Sequence, residues 1–319
     1  LLESMHTYIL VAPQLENNLS MIQLNLLNEI ILPNEHIEIE AVVQNSGILD
    51  KENILLQLMI NDMIVGQQLI SLKSQTIKTF AFKTALHKSG IHKGMIELDP
   101  DDRVEDNRLY FTINIPDKHN IAIISNSSEA TYYIKESLKA LNKFGETLSI
   151  VEYMNLEDKQ LNLYEQDIVF ILNPDILDNI TDSKVEEYLY SGGHVIIFPN
   201  IESESSAFAH INNITSDISA NYVNLIKQSL SGNSFQEINP ESIQIKNIKE
   251  LFKDFNGIDR NIRMFEYIVL PFHPEFSKIL LNDKSPLWNR HTIQRGIIDV
   301  FGFAVSLEWT NFPIKGAFL

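Results

Sequence analysis

Three serines, Ser203, Ser205 and Ser206, follow the apolar run His194–Phe198 (HVIIF) in a chain that continues Pro199-Asn200-Ile201-Glu202-Ser203. A serine on the bend after a buried strand can act as a nucleophile if an imidazole takes its proton and backbone N–H groups face the oxyanion. His210, His273 and His291 are the conceivable bases. The stretch IESESSAF lacks the G-x-S-x-G glycines that permit a strained nucleophile turn, so the three serines are expected to lie in a solvated loop. Asp175, Asp178 and Glu202 form a second set. A glycosidase needs two carboxyl groups about 5 to 9.5 Å apart across a cleft, and sequence does not place these three relative to one another.

The run Glu97–Asp106 (ELDPDDRVED) invites a calcium reading, because hard cations take clustered carboxylate and carbonyl oxygens. Its spacing is wrong for an EF-hand and the required glycine is missing. Asp99-Pro100-Asp101-Asp102 is instead expected to make a hairpin turn whose charges lie in water. Gly192-Gly193 follows a predicted helix and precedes a strand, so it reads as a helix stop rather than a phosphate loop. Ser125-Asn126-Ser127-Ser128 is better placed for a small ligand, at a strand-to-helix junction where open α/β sheets bind, although it has no glycine to admit a phosphate closely. The nine histidines contain no H-x-x-x-H or H-x-H pair. Trp288 and Trp309 read as core or interface anchors. Tyr132 and Tyr133 fall on a helix with Tyr133 inward, and the N-x-S/T triplets at Asn18, Asn126, Asn179 and Asn213 are at chance level in an Asn-rich chain. No catalytic, cofactor-binding or metal-binding residue is assigned, and no cofactor is expected.

The elements that would carry these residues divide the chain in two. Residues 1–14 are a lead-in segment. From 15 to 117 short alternating stretches recur: Ser20–Leu26, His36–Gln44, Ile54–Ile60, Met63–Leu69, Gln75–Lys83, Gly94–Leu98 and Arg108–Ile115. In the second, Ile37, Ile39, Ala41 and Val43 share one face, and Asn61-Asp62 is a two-residue hairpin signal between the third and fourth. Turn residues about every 8 to 12 positions predict an all-β, immunoglobulin-like sandwich. After Pro116-Asp117 the rhythm changes to strand Asn120–Ser125, helix Glu129–Phe144 closed by Gly145, strand Thr147–Tyr153, strand Gln166–Asn173, helix to Tyr190 and strand His194–Phe198. This order predicts a Rossmann-like α/β domain over 118–319. Helices are predicted at Ala220–Leu230 and Pro240–Phe255 within an atypical region at about 200–265, and strands return at Glu266–Leu270 and Gly296–Phe303.

Composition narrows the function classes. The 319 residues carry 42 acidic against 25 basic side chains, a net charge of −17, which repels phosphate backbones and anionic headgroups and argues against nucleic-acid partners. With no cysteine, disulfides, thiolate zinc sites and thiol nucleophiles are excluded. No run approaches the roughly 18 to 20 apolar residues that span a bilayer. The longest, Ile168–Leu172, Val195–Phe198 and Tyr267–Phe272, have the length of buried strands. The chain begins at Leu1 and ends Gly316-Ala-Phe-Leu, so it is read as a portion of a longer protein. Any membrane contact is expected through segments outside it.

Four stretches in order resemble the extracytoplasmic part of bacterial aerotolerance regulator (Bat-type) membrane proteins. They are AVVQNSG (Ala41–Gly47), GMIELDPDDRVEDNRLYFTINI (Gly94–Ile115), YEQDIVFILNPDIL with VEEYLYSGGHVIIFPN (Tyr164–Asn200), and SPLWNRHTIQRGIIDVFGFAVSLEWTNFP (Ser285–Pro313). The resemblance implies a CARDB-like sandwich joined to a class I glutamine-amidotransferase-like domain, in a membrane-anchored parent with this portion outside the cytoplasm. Arg295-Gly296 departs from the usual paired glycines, and residues 200–265 match nothing in the family. An amidotransferase needs a thiolate on the elbow after the His194–Phe198 strand. Here Pro199 follows, which has no N–H to donate, and no cysteine exists, so that reaction is excluded. The expectation is a noncatalytic binding or scaffolding ectodomain, not an enzyme, with a protein or other cell-envelope component as partner. The rival is a carbohydrate-acting or other hydrolase, or a ligand-binding protein, using the carboxyl edge of the α/β sheet.

Overall fold

The computed structural model describes residues 17–27, 31, 36–142, 147–215, 220–232, 234–245 and 261–315. The chain divides into two compact units, 1–117 and 118–319. The 1–14 lead-in and the Gly145 helix stop lie outside the described residues.

The first unit is a β-sandwich. One sheet has the order β1 (Leu19–Leu26), β2 (His36–Asn45), β5 (Thr76–Ala85). The other runs β4 (Met63–Leu72), β3 (Lys51–Ile60), β6 (Gly90–Leu98), β7 (Arg108–Ile115). Alternation creates the core: on β2, Ile37, Ile39, Ala41 and Val43 are all buried, and they face Leu56, Leu58, Ile60 and Ile96 of the opposite sheet within one apolar cluster. The β3–β4 hairpin closes on Asn61 and Asp62, whose φ angles of 50° and 63° are the left-handed pair of a type I′ turn.

The acidic run between β6 and β7 connects the two antiparallel strands, and Asp99, Asp102 and Glu105 in it are exposed, as the sequence suggests. Its carboxylates accept main-chain N–H groups from elsewhere in the sandwich: Asp99 from Leu55 (2.8 Å), Asp101 from Leu19 (2.5 Å) and Asp102 from Asn17 (3.1 Å). The loop therefore ties down the start of β1, ends in a 3-10 turn at Val104–Asp106, and leads into β7, where Arg108 pairs with Glu97.

The second unit is mixed α/β. Its seven-stranded sheet has the order β16 (Ser277–Leu280), β17 (Pro286–Ile293), β18 (Gly296–Phe301), β11 (His194–Ile197), β10 (Ile168–Ile171), β8 (His119–Ile124), β9 (Leu148–Tyr153). The five strands from β18 to β9 are mutually parallel, and β17 and β16 are added antiparallel. Strands β8 and β10 are buried along almost their whole length, which is why they read as continuous apolar runs. Helix α1 (Ser128–Leu141) joins β8 to β9, and α2 (Asn179–Tyr190) joins β10 to β11. The chain leaves β8 for β9 on one side and returns to β10 on the other, so the sheet has its switch point at the carboxyl ends of β8 and β10.

Two glycine sites set the α2–β11 connection. Gly192 has φ +107°, a conformation side-chain-bearing residues avoid, and Gly193 lies under the Tyr188 ring, 2.2 Å from where a Cβ would sit. The pair is a helix stop.

The region after α3 (Ile211–Ile214) overturns an expectation. No helix occupies 220–230: Ile226–Ser229 is strand β12, antiparallel to β15 (Glu266–Val269). Likewise Pro240–Ser242 is a single 3-10 turn and 243–245 is not helical, and the remainder of the Pro240–Phe255 prediction lies outside the described residues. Two short strands, β13 (Gln236–Glu237) and β14 (Arg263–Met264), complete this part.

Candidate functional site

The carboxyl edge of the parallel strands gathers the residues that could do chemistry. After β8, Ser125 Oγ accepts from Ser127 N at 2.9 Å, and Ser127 caps α1 by accepting from Ala130 N. After β10, Asn173 Oδ1 accepts from Asp175 N, opening a 3-10 turn at Pro174–Ile176, while its Nδ2 donates to Asn126 Oδ1 at 3.4 Å. After β11 the chain bends at Asn200, whose N–H donates to Ser203 Oγ at 2.9 Å.

Ser203 is thus brought to the sheet edge, but not as an exposed loop residue. It is 0% exposed, which corrects the solvated-loop expectation. Its one hydroxyl proton lies between Asp175 Oδ2 (3.2 Å) and Asn173 Oδ1 (3.4 Å). Its carbonyl accepts from Lys227 Nζ, and that ammonium also pairs with Glu266 at 2.9 Å and lies 4.8 Å over the Trp309 ring. Ser205 and Ser206 open a 3-10 turn at Ser205–His210.

The structure does not bring the candidate bases to this serine. His210 Nδ1 is 2.8 Å from Asp182 Oδ2. His273 stacks on Phe276 and accepts from Glu275 N. His291 Nε2 lies 2.6 Å from the Tyr222 hydroxyl, which also accepts from Asn289 Nδ2. Burial pushes His291 down to about 4, so it is neutral at ordinary pH, and burial likewise raises the Tyr222 hydroxyl. The carboxylate set separates too. Asp175 holds Ser203, Asp178 caps α2 by accepting from Ile180 and Thr181 N–H, and Glu202 is exposed.

Beside the first βα junction lies a cavity of about 410 Å³ lined by Ser125–Ser128, Tyr132 and Met154 among others. Its cationic groups are paired: Lys135 with Glu152, and Lys139 with Glu136 at 2.6 Å. The rest of the wall is hydroxyl, amide and apolar. Trp288 and Trp309 are buried, and Asn18 is too buried to be modified in the folded chain. Among the described residues no three or more His, Asp or Glu side chains gather to hold a metal.

Sequence reasoning missed the most strongly ionic constellation. Asp299, on β18, accepts from His194 Nε2 (2.7 Å), Trp288 Nε1 (2.6 Å) and Arg290 Nε and Nη2 (2.8 and 2.7 Å). Burial works against its ionisation, yet the hydrogen bonds and charges of His194 and Arg290 outweigh that and hold its carboxyl below the usual range. The available signal was Asp299 itself, a carboxylate inside the apolar run GIIDVF; in the sheet it lies opposite Arg290, with Trp288 two positions along on the same strand face. This cluster ties β17, β18 and β11 together, with Asp299 and Trp288 buried and His194 and Arg290 at its edge.

Residues 17–109 match the CARDB family. The sandwich is similar to archaeal CARDB domains. One, from Pyrococcus furiosus in complex with di-metal ions, is 15% identical, covering 33% of this chain and 98% of that one with a TM-score of 0.30. Another, from a candidate cell-surface protein of Methanosarcina acetivorans, is 20% identical, covering 32% and 95% with a TM-score of 0.28. A β-glucosidase from Listeria innocua is 12% identical over 32% of this chain and 16% of the enzyme, with a TM-score of 0.25. No curated protein sequence matches the chain. CARDB domains resemble cell-surface adhesion domains. Among the described residues no helix is long and apolar enough to cross a membrane.

Proposed function

We propose that this chain is a noncatalytic binding or scaffolding portion of a cell-envelope protein. In this reading a CARDB sandwich is followed by an amidotransferase-like α/β unit that has kept its sheet and lost its nucleophile. The parent is membrane-anchored and similar to Bat-type proteins, and this portion stands outside the cytoplasm. The partner is a protein or another envelope component.

One observation carries the reading. At the bend after β11, where an amidotransferase-like sheet would present its nucleophile, Ser203 is buried and its hydroxyl is held by Asn200 N–H and the Asp175 carboxylate. A hydroxyl that already accepts a main-chain N–H and donates to a carboxylate serves as a brace for the loop. Activation would require it to leave both partners and meet an imidazole, and His210, His273 and His291 have partners elsewhere. The carbohydrate-acting alternative is weakened in the same way, since Asp178 is committed to its helix cap.

The test is turnover. Purified protein is offered amide, ester and glycoside substrates alongside Ser203→Ala and Asp175→Asn. All three are expected to match the buffer rate. Hydrolysis by the parent chain that either substitution abolishes would overturn the proposal. Placement is checked separately: protease added to intact cells making the full-length parent is expected to cleave this portion, and full protection would refute the extracytoplasmic assignment.

A further inference from the structure

The acidic loop between β6 and β7 leaves a set of oxygens without donors. Asp99, Asp101 and Asp102 each accept a main-chain N–H, as described above. Asp106 Oδ2 accepts from Asn18 Nδ2 at 3.3 Å, and Asn107 Nδ2 donates to the Asp99 carbonyl (3.2 Å) and Asp101 Oδ1 (3.3 Å). What remains is Asp106 Oδ1, Asn18 Oδ1 and Asn107 Oδ1. All three are buried acceptors with no hydrogen-bond donor among the described residues. Asn18 is 4% exposed and Asn107 2%. Asn18 touches Asp106, and Asn107 follows it in the chain, so the three belong to one locality.

Rotating the amides does not cure this. The Asn18 nitrogen already faces Ser46 Oγ at 2.8 Å and the Asp106 carboxylate, and the Asn107 nitrogen faces two acceptors. A flip would set the Asn18 oxygen against the Asp106 carboxylate, and the Asn107 oxygen against the Asp99 carbonyl and the Asp101 carboxylate. The nearby Arg103 stands 3.9 Å from the other oxygen, Asp106 Oδ2. One water has two protons for three acceptors. A hard divalent cation satisfies such a set directly, since calcium takes about 6 to 8 oxygens and draws them from carboxylates, Asn carbonyls, backbone carbonyls and water.

We propose that Asn18, Asp106 and Asn107 form a calcium-class cation site that fastens the start of β1 to the β6–β7 loop. With one carboxylate, one full charge and two amide oxygens, the site belongs to the weak class, with Kd about 10⁻⁴ to 10⁻³ M. The inference is independent of the proposed function, because it concerns the first unit alone.

The experiment uses the full chain, stripped with chelator and titrated with calcium chloride up to about 10 mM, about tenfold above the weak limit of that range, with magnesium chloride as the control. Hydrogen exchange read by mass spectrometry is expected to slow several-fold in peptides covering 17–20 and 98–108 with calcium, and less with magnesium. Asp106→Asn is expected to lose this response. In chelator it is expected to melt no lower than the parent chain, because the new amide supplies a donor beside the unpartnered oxygens, while the Arg103 contact it gives up is an exposed one. Asn18→Asp moves the other way: a second carboxylate against Asp106 lowers melting in chelator and enlarges the rise with calcium. No calcium-dependent protection in the parent chain, protection confined to other peptides, or an undiminished response in Asp106→Asn overturns the proposal.

Discussion

Replacing Asp299 with Asn tests the central ionic cluster of the second unit. The carboxylate is 1% exposed and takes four hydrogen bonds, from His194, Trp288 and twice from Arg290. Asparagine has one acceptor oxygen, and its NH₂ would face donors. The Arg290 and His194 side chains are only 14% and 15% exposed, so the charge left behind is poorly hydrated. Breaking a buried pair from one side costs about 3 to 5 kcal/mol. At about 2 to 4 °C per kcal/mol for a unit of this size, the melting temperature should fall by about 6 to 20 °C. Both tryptophans, Trp288 and Trp309, lie in this unit, so fluorescence-monitored urea unfolding of the full chain reports it alone. A shift in midpoint at constant slope gives the loss. A loss under about 1 kcal/mol, the level of an exposed pair, would refute the argument that this cluster is buried and ionised. The pH dependence adds a second reading. The folded-state pKa of Asp299 is depressed, so its stabilisation is present above about 4, the ordinary Asp value, and disappears as pH falls through the folded value. The parent chain should therefore lose stability more steeply than Asp299→Asn on that acid limb. Asp299→Leu combined with Arg290→Met should recover part of the loss, because an apolar pair needs no compensation for desolvation.

Three further outcomes follow from other sites. Buried His291 sits at about 4 against 6.5 in the unfolded chain, so the unfolded state takes up a proton first and stability falls as pH drops from about 6.5 to about 4, by about 3 kcal/mol; His291→Gln should flatten that limb in urea midpoints taken at successive pH values. Gly296→Ala places a Cβ 2.3 Å from the Leu189 carbonyl oxygen and 2.6 Å from that of Gly193, both main-chain atoms, and is expected to cost about 2 to 3 kcal/mol by the same fluorescence assay. Asp62→Gly relieves a left-handed residue in the β3–β4 turn while leaving the Asn61 hydrogen bonds to Lys93 and His92 intact, and should stabilise the sandwich by about 0.5 to 1 kcal/mol in calorimetry.

Much of the architecture is written locally. The alternation of Ile37, Ile39, Ala41 and Val43, the Asn61-Asp62 turn, the uninterrupted Ile168–Ile171 run and the Gly192-Gly193 stop are each properties of a few consecutive residues, and backbone periodicity and φ preference act at that range. The lack of cysteine likewise needs no coordinates to exclude thiol chemistry. The errors arose where a distant partner decides. Leu225–Gln228 has ordinary helix formers and no alternation, since β12 is largely exposed, and only its ladder with β15 and the Lys227–Glu266 pair make it a strand. Asp99 and Asp102 are the exposed turn charges that the sequence suggests, but only the fold shows that the 99–102 carboxylates also accept the main-chain N–H groups of 17, 19 and 55. Ser203 reads as a loop serine until Asp175, 28 positions away, accepts its proton, and Asp299 meets His194 across 105 positions. Sequence by itself determined which segments could be strands, helices and turns and which reactions lacked their atoms. Tertiary structure alone decided which polar groups are buried together, because desolvation and pairing depend on neighbours that no local pattern encodes.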